Sequence, residues 1–304
     1  MPAYNAEATI DSAIRSALAQ SLEDFELIVA DDESIDGTIE IVRRHRSDPR
    51  VRLVRCRHGG LAATRNAALS VARGRYFSLL DSDDLWMPNY LEVMGASLAE
   101  NPDAAFAYTD AWMFDNASRL FSRSTAMAGA NPPDPPPTDP FEFFVEMLQR
   151  NFVYVGVTMR RAVIDAIGTF NAALRASEDY DLWLRTLAHG YGAVRAPGLL
   201  GLYRLRRDSL SSDPLFMREA ILRVYAGLAE DPSLPPLARA AAGARLEEAT
   251  AERDALVRSL STRSPYLGLR SYASRIKRAL LTRRDWLRSP PVEVSSVFPD
   301  IRTL

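Results

Sequence analysis

Tyr76-Phe-Ser-Leu-Leu-Asp-Ser-Asp-Asp-Leu-Trp86 is a short apolar run that ends in three carboxylates within four residues, Asp81, Asp83 and Asp84. The run has the length and aromatic content of a strand, and the polar cluster arrives before a second helical turn could form. Off a strand end, Asp81 and Asp83 stand at i and i+2, close together at the rim of a sheet. Neighbouring carboxylates repel unless positive charge sits between them. A hard divalent cation with oxygen ligands, Mg2+ or Mn2+, meets that need and leaves a side open for a diphosphate. A solvated turn is the plainer reading of an Asp cluster, so the surrounding chain has to decide.

Upstream, residues 1–5 read as a loop and Ala6 to Leu18 as a helix with Ile10, Ala13, Ile14, Ala17 and Leu18 on one face. Phe25–Ala30 is a strand that runs into a second acid pair, Asp31-Asp32. A turn at Ser34–Gly37 leads to a helix through Arg46, then a strand at Val51–Val54, a break at Gly59-Gly60 and a helix at Ala62–Ala72. Helices and strands alternating over short connections specify an α/β fold with a mainly parallel sheet. Ligands in such sheets sit beyond the carboxyl ends of the strands, where both acid pairs fall. A first strand feeding the opening loop is missing from this pattern. Met1 fits as its last residue, which points to a start codon assigned late or to a gene fragment.

Downstream, Leu91–Glu100 is a helix and Ala105–Thr109 and Ala111–Phe114 are strands; six prolines within residues 130–140 mark an exposed loop or lid. A helix at Phe141–Leu148, a strand at Val153–Met159 and a helix at Arg161–Ile167 follow. Ser177-Glu-Asp-Tyr-Asp-Leu-Trp-Leu-Arg185 then opens a helix to Ala188, with Glu178 and Asp179 in its first turn. The helix dipole favours acids there, so capping competes with chemistry as their role. Strands around Val194 and Leu199–Tyr203 lead into a basic, hydroxyl-rich loop, Arg204–Ser212. Residues 215–228 and 237–260 read as helices. Residues 266–289 carry seven basic side chains against one acid on an amphipathic pattern. That segment either lies on an anionic membrane surface or docks on its own domain.

Composition removes several classes. A net charge of −2 over 304 residues gives no support for a nucleic-acid role, which would want a basic face. The single cysteine, Cys56, allows neither an internal disulfide nor a cysteine metal site. No run approaches the roughly 20 apolar residues of a membrane span. Lys277 is the only lysine, so a Walker phosphate loop cannot be built, and phosphatases or nucleotidyltransferases that rely on a catalytic lysine fit poorly.

Taken in order, these segments resemble glycosyltransferase family 2, whose members have the GT-A fold. The resemblance rests on Pro2-Ala3-Tyr4-Asn5, Ala30-Asp-Asp-Glu-Ser-Ile-Asp-Gly-Thr38, Gly60-Leu-Ala-Ala-Thr-Arg-Asn66, Leu80-Asp-Ser-Asp-Asp84, Arg160-Arg161 with Gly168-Thr-Phe170, and Glu178-Asp179. It covers residues 1–212, divided at 110 into a nucleotide-sugar half and an acceptor half, and leaves 213–304 as a helical extension. It implies a nucleoside-diphosphate sugar donor, UDP before other bases, bound by Ala3, Tyr4, Asp31 or Asp32, Arg65, Asp81 and Ser82. Asp83, with Asp81, would hold Mg2+ or Mn2+, and Asp84 would be structural. Asp179 would be the general base with Glu178 assisting, and Arg204, Arg207, Ser209 and Ser211 a mobile loop over the substrates.

The implied reaction is metal-dependent hexosyl transfer with inversion onto an acceptor hydroxyl, saccharide or lipid-linked, in polysaccharide or glycolipid synthesis. It would take place in the cytoplasm or at the inner face of the membrane. One base opposite the leaving group gives direct displacement. The paired acids alone would also suit a glycoside hydrolase, which has no use for a metal motif beside a nucleotide pocket. A non-catalytic nucleotide-sugar-binding protein or truncated relative is the competing reading.

Overall fold

The computed structural model describes residues 1–115, 119–154, 156–206, 213–261 and 292–293. β1 (Pro2–Ala3), β2 (Leu27–Asp31) and β3 (Val51–Arg55) form a parallel sheet in that order. All five residues of β2 are buried, as a continuous apolar run in a helix-covered parallel sheet should be. α1 (Ile10–Leu18) buries Ile10, Ala13, Ile14 and Ala17. α2 (Thr38–Arg44) passes into a 3-10 turn at His45–Ser47.

Two expectations change here. Residues 1–5 are not simply a loop, because the place of the first strand holds β1. Met1 N donates to the Ile28 carbonyl at 2.8 Å, and the Met1 and Ala3 carbonyls accept from Ala30 and Asp32, both at 2.8 Å. The first helix begins at Ile10 rather than Ala6. Thr9 N and Ile10 N both turn back onto the Ala6 carbonyl, and Asn5 is left-handed at φ 47°, so residues 5–9 make a corner.

The second sheet is mixed: β4 (Tyr76–Ser78), β5 (Leu85–Trp86), β6 (Ala104–Asp115), β7 (Arg119–Thr125), β8 (Val157–Arg160), β9 (Gly192–Leu205) and β10 (Val292–Glu293). β6 is its spine, so the two strands expected at 105–114 are one. β9 pairs with it in parallel from Ala104 to Asp115, with register shifts on either side of Asp110. β8 and then β7 pair antiparallel, through Phe106–Tyr108 and Trp112–Phe114. A cleft of about 900 Å³ lies between β2 and β4, walled by Leu27, Ile28, Tyr76, Phe77, Leu80 and Trp86.

α3 (Leu61–Val71), α4 (Tyr90–Glu100), α5 (Pro140–Gln149), α6 (Arg161–Ile167) and α7 (Glu178–Ala188) cover the sheets. α5 starts where the proline-rich stretch stops, with Asp139 accepting from Glu142 N at 2.9 Å and Pro140 at the first helical position. The core under α5 and α7 is aromatic: Trp183 lies 5.3 Å from Phe106, and Phe143 meets Tyr108 edge-on at 5.7 Å.

Beyond residue 212, α8 (Pro214–Glu230) and α9 (Pro236–Ser261) pack on this core. Tyr225 makes the joint. Its hydroxyl donates to the Leu148 carbonyl at 2.8 Å and lies 3.1 Å from that of Tyr180, which itself bonds the Met147 carbonyl. These are last-turn carbonyls of α5, which have no partner within their own helix. The basic segment 266–289 lies outside the described residues, and no helix among those described is long and apolar enough to cross a membrane. Tyr225→Phe is expected to cost about 1–2 kcal/mol, read as a lower denaturant midpoint at unchanged m-value; an unchanged midpoint would show that the joint contributes nothing.

Candidate functional site

The acids at the end of β2 are held differently. Asp32 accepts from Gly59 N at 2.9 Å and Gly60 N at 3.1 Å, and His58 lies 3.0 Å from its carboxylate. It therefore organises the entry to α3, where Gly60 takes φ 83°, a conformation that costs little without a side chain. Asp31 is buried at 1% exposure; one carboxylate oxygen accepts from Ser34 N at 3.3 Å and Oδ1 has no partner. A buried acceptor without a donor is costly. Tyr4, half exposed, lies against His58 with ring centroids 4.7 Å apart, and Ala3 is buried in β1 behind it.

Arg65 on α3 is the junction of the site. It is 3% exposed, donates to Asp81 at 2.6 Å and pairs with Glu178. Asn66 fixes its helix to the loop before α7: Asn66 Nδ2 donates to the Phe170 carbonyl at 2.8 Å, and Phe170 N donates back to Oδ1 at 3.0 Å. The Arg65 guanidinium also lies 5.6 Å from the Phe170 ring. Burial opposes its charge, but Asp81 and Glu178 outweigh burial and hold its pKa above the ordinary value.

Asp81, Ser82 and Asp83 are half-buried, and Asp84 is buried. Asp83 faces Arg206 at 3.4 Å. Burial first, then Asp81, pushes the Asp83 carboxyl up against the pull of Arg206. Each acid of the Asp-x-Asp pair thus carries a guanidinium on its carboxylate, Arg65 on one and Arg206 on the other. The donor set is hard oxygen, which suits Mg2+ or Mn2+. Among the described residues no group of three or more His, Cys, Asp or Glu is arranged to hold a metal, so these two carboxylates could supply only part of a cation's shell.

Glu178 and Asp179 open α7 behind Ser177, itself left-handed at φ 61°. A non-glycine residue in that region carries strain that surrounding structure must hold. Ser177 makes no side-chain cap, while Asp179 accepts from its neighbour Tyr180 N at 2.8 Å. Burial lifts Glu178 to about 7 against the pull of Arg65. Burial also raises Asp179, again opposed by Arg65. Such perturbed carboxyls are what proton-transfer sites use.

The chain therefore brings Arg65, Asp81 and Glu178 into direct contact and sets Asp31 at a neighbouring strand end. Arg204, expected in the loop over the substrates, is the penultimate residue of β9; its Nε donates to the Asp83 carbonyl at 2.7 Å and its guanidinium covers Phe114 at 4.3 Å. Arg207, Ser209 and Ser211 lie outside the described residues. Arg206 was not singled out by sequence. Strand alternation offered the signal, since residues two apart share a face and Arg206 follows Arg204 by two.

Comparison with known proteins identifies the family to which this arrangement belongs. The model for glycosyl transferase family 2 matches residues 1–166, and the chain belongs to that family. UDP-Glc:alpha-D-GlcNAc-diphosphoundecaprenol beta-1,3-glucosyltransferase WfgD of Escherichia coli is 32% identical over 217 residues, which cover 70% of this chain and 78% of WfgD. Two solved structures share the GT-A fold. TarS 1–349 of S. aureus in complex with UDP-GlcNAc superposes with a TM-score of 0.60 at 20% identity, covering 82% of this chain and 70% of TarS 1–349. The mannosyltransferase PcManGT of Pyrobaculum calidifontis, with GDP-Man and Mn2+, gives 0.57 at 20% identity, covering 90% and 81%.

Arg65→Met leaves Glu178 buried without its counter-charge, an expected loss of about 3–5 kcal/mol at pH 8. Glu178 binds its proton more tightly folded than unfolded, so its contribution to stability is fullest below the unfolded carboxylate range and is lost as pH rises through about 7. Without Arg65 that fall steepens, and part of the lost stability should return at pH 5. Thermal melts across pH check this; a pH-independent deficit would contradict the pairing.

Proposed function

We propose that this glycosyltransferase moves a sugar from a UDP-sugar to a hydroxyl of a lipid-linked or saccharide acceptor, with inversion and with Mg2+ or Mn2+ as cofactor. The observation that carries the reading is the unpartnered, buried Oδ1 of Asp31, a residue paired across the sheet with Ala3, the neighbour of Tyr4. A uracil ring lying on Tyr4 would offer its imide N–H to that oxygen. Asp32, already occupied by two backbone amides, shapes the pocket. Ala3 and Ser82 would line the approach to the nucleoside and diphosphate. UDP in TarS and the UDP-Glc named for WfgD favour this base.

Asp83 and Asp81 would hold the cation, with diphosphate oxygens completing its shell. When bound, the cation supplies Lewis-acid stabilisation of the departing diphosphate. Arg206 and Arg65, already paired with these acids, would present positive charge to the same anion. Asp179 is the group to take the proton from the acceptor hydroxyl, its raised pKa making it the stronger base once ionised. Glu178 holds Arg65 in place beside it. With the base on the acceptor side and the diphosphate on the other, displacement is direct and the anomeric carbon inverts. An acceptor on a lipid carrier would bring the protein to the inner face of the membrane as a peripheral enzyme.

Asp179→Asn is expected to lower transfer by about 100-fold or more with UDP binding intact, and Asp31→Asn to weaken UDP about 10-fold or more. Radiolabelled transfer assays and calorimetric titration check both. Near-normal transfer by Asp179→Asn would remove it as the base. Wild-type protein that binds UDP-sugars without transferring to any hydroxyl acceptor would mark a binding protein instead.

A further inference from the structure

We propose that Tyr154 is a positioning residue for the Asp81–Asp84 turn, acting through Asp84 to set the affinity for a divalent cation with a nucleoside diphosphate. This rests on the reading of Asp83 as a cation ligand. Tyr154 lies in the segment between α5 and β8. Its hydroxyl donates to Asp84 Oδ2 at 2.7 Å, and Arg204 N on β9 donates to Asp84 Oδ1 at 2.8 Å. Arg204 Nε then reaches the Asp83 carbonyl at 2.7 Å, and Asp84 N closes the turn on the Asp81 carbonyl at 3.2 Å.

The seat of the ring is closely bounded. A Cβ on Gly156 would lie 2.5 Å from Tyr154 Cε1, and one on Gly201 would lie 3.0 Å from the same atom and 3.2 Å from Ala111 Cβ. Tyr203 meets the ring edge-on at 5.6 Å. Little room remains for the ring to shift while its neighbours stay in place.

Tethers from Tyr154 and Arg204 thus converge on Asp83 and Asp84, and none of them touches the Asp83 carboxylate, which stays 28% exposed. They hold the backbone while leaving that carboxylate at the open side of the turn. Asp84 is 1% exposed, and a buried carboxylate needs its hydrogen bonds. Without the tyrosine hydroxyl, Asp84 has reason to turn toward solvent, and the turn carrying Asp83 would go with it.

Calorimetric titration of UDP into the full chain, with and without Mn2+, tests this. Tyr154→Phe keeps the ring and removes only the hydroxyl; Mn2+-supported UDP affinity is expected to fall about 5- to 30-fold, the range for a lost buried hydrogen bond, with metal-free affinity unchanged. In an Asp84→Ala background the same change should be silent. Gly201→Ala keeps the hydroxyl but displaces the ring, and should give the same selective loss; it carries the test if Tyr154→Phe melts below the titration temperature. Wild-type Mn2+ dependence in these variants, or an equal loss with and without Mn2+, would overturn the proposal. Asp83→Asn separates the two readings: Mn2+ dependence surviving in Asp83→Asn overturns the cation site itself. Its loss there beside an unaffected Tyr154→Phe overturns only the positioning role.

Discussion

Arg65 is the constraint around which the rest of the site is arranged. A guanidinium this deeply buried is tolerable only with carboxylates on it, and its partners come from opposite sides. Asp81 follows β4, and Glu178 opens α7. The reciprocal Asn66–Phe170 amide pair fixes the helix that carries Arg65 against the loop leading to α7. One cation therefore sets the spacing between the acids proposed for donor binding and those proposed for proton transfer. A shift of either element would leave a charge buried alone.

A second principle runs through the acid pairs, in which adjacent residues divide the work. Asp32 is tied to backbone amides while Asp31 keeps a bare oxygen; Asp84 is tied to Tyr154 and Arg204 while Asp83 keeps its carboxylate partly open. In each pair one acid builds the loop and the other remains available to a ligand. Buried polar groups are normally satisfied within the protein, so the bare Asp31 oxygen is the one to examine for binding, while Asp83 has Arg206 on its carboxylate.

The α/β class, the helices and the acids at two strand ends were legible because they rest on period-two and helical patterns and on turn chemistry, whereas the short strands β1 and β5, the strand β7 and the continuity of β6 and β9 were not. Long-range partnerships were not. Nothing near Arg65 in the chain announces Glu178, 113 residues away, nor does Tyr154 announce Asp84. The division between Asp31 and Asp32 depends on which carboxylate meets the Gly59 and Gly60 amides, which adjacency alone cannot decide. The corner at Asn5 and the mixed character of the second sheet follow from tertiary pairing, which overrides local propensity.

A crystal structure of the chain with UDP and Mn2+ tests the central claim, that the Arg65 junction separates a donor pocket from a proton-accepting pair. The account predicts the uracil imide on Asp31 Oδ1, the cation touching Asp83, and Arg65 still bridging toward Glu178 with Asp179 free on the far side. A nucleotide bound away from Asp31, or a cation that does not touch Asp83, would contradict it.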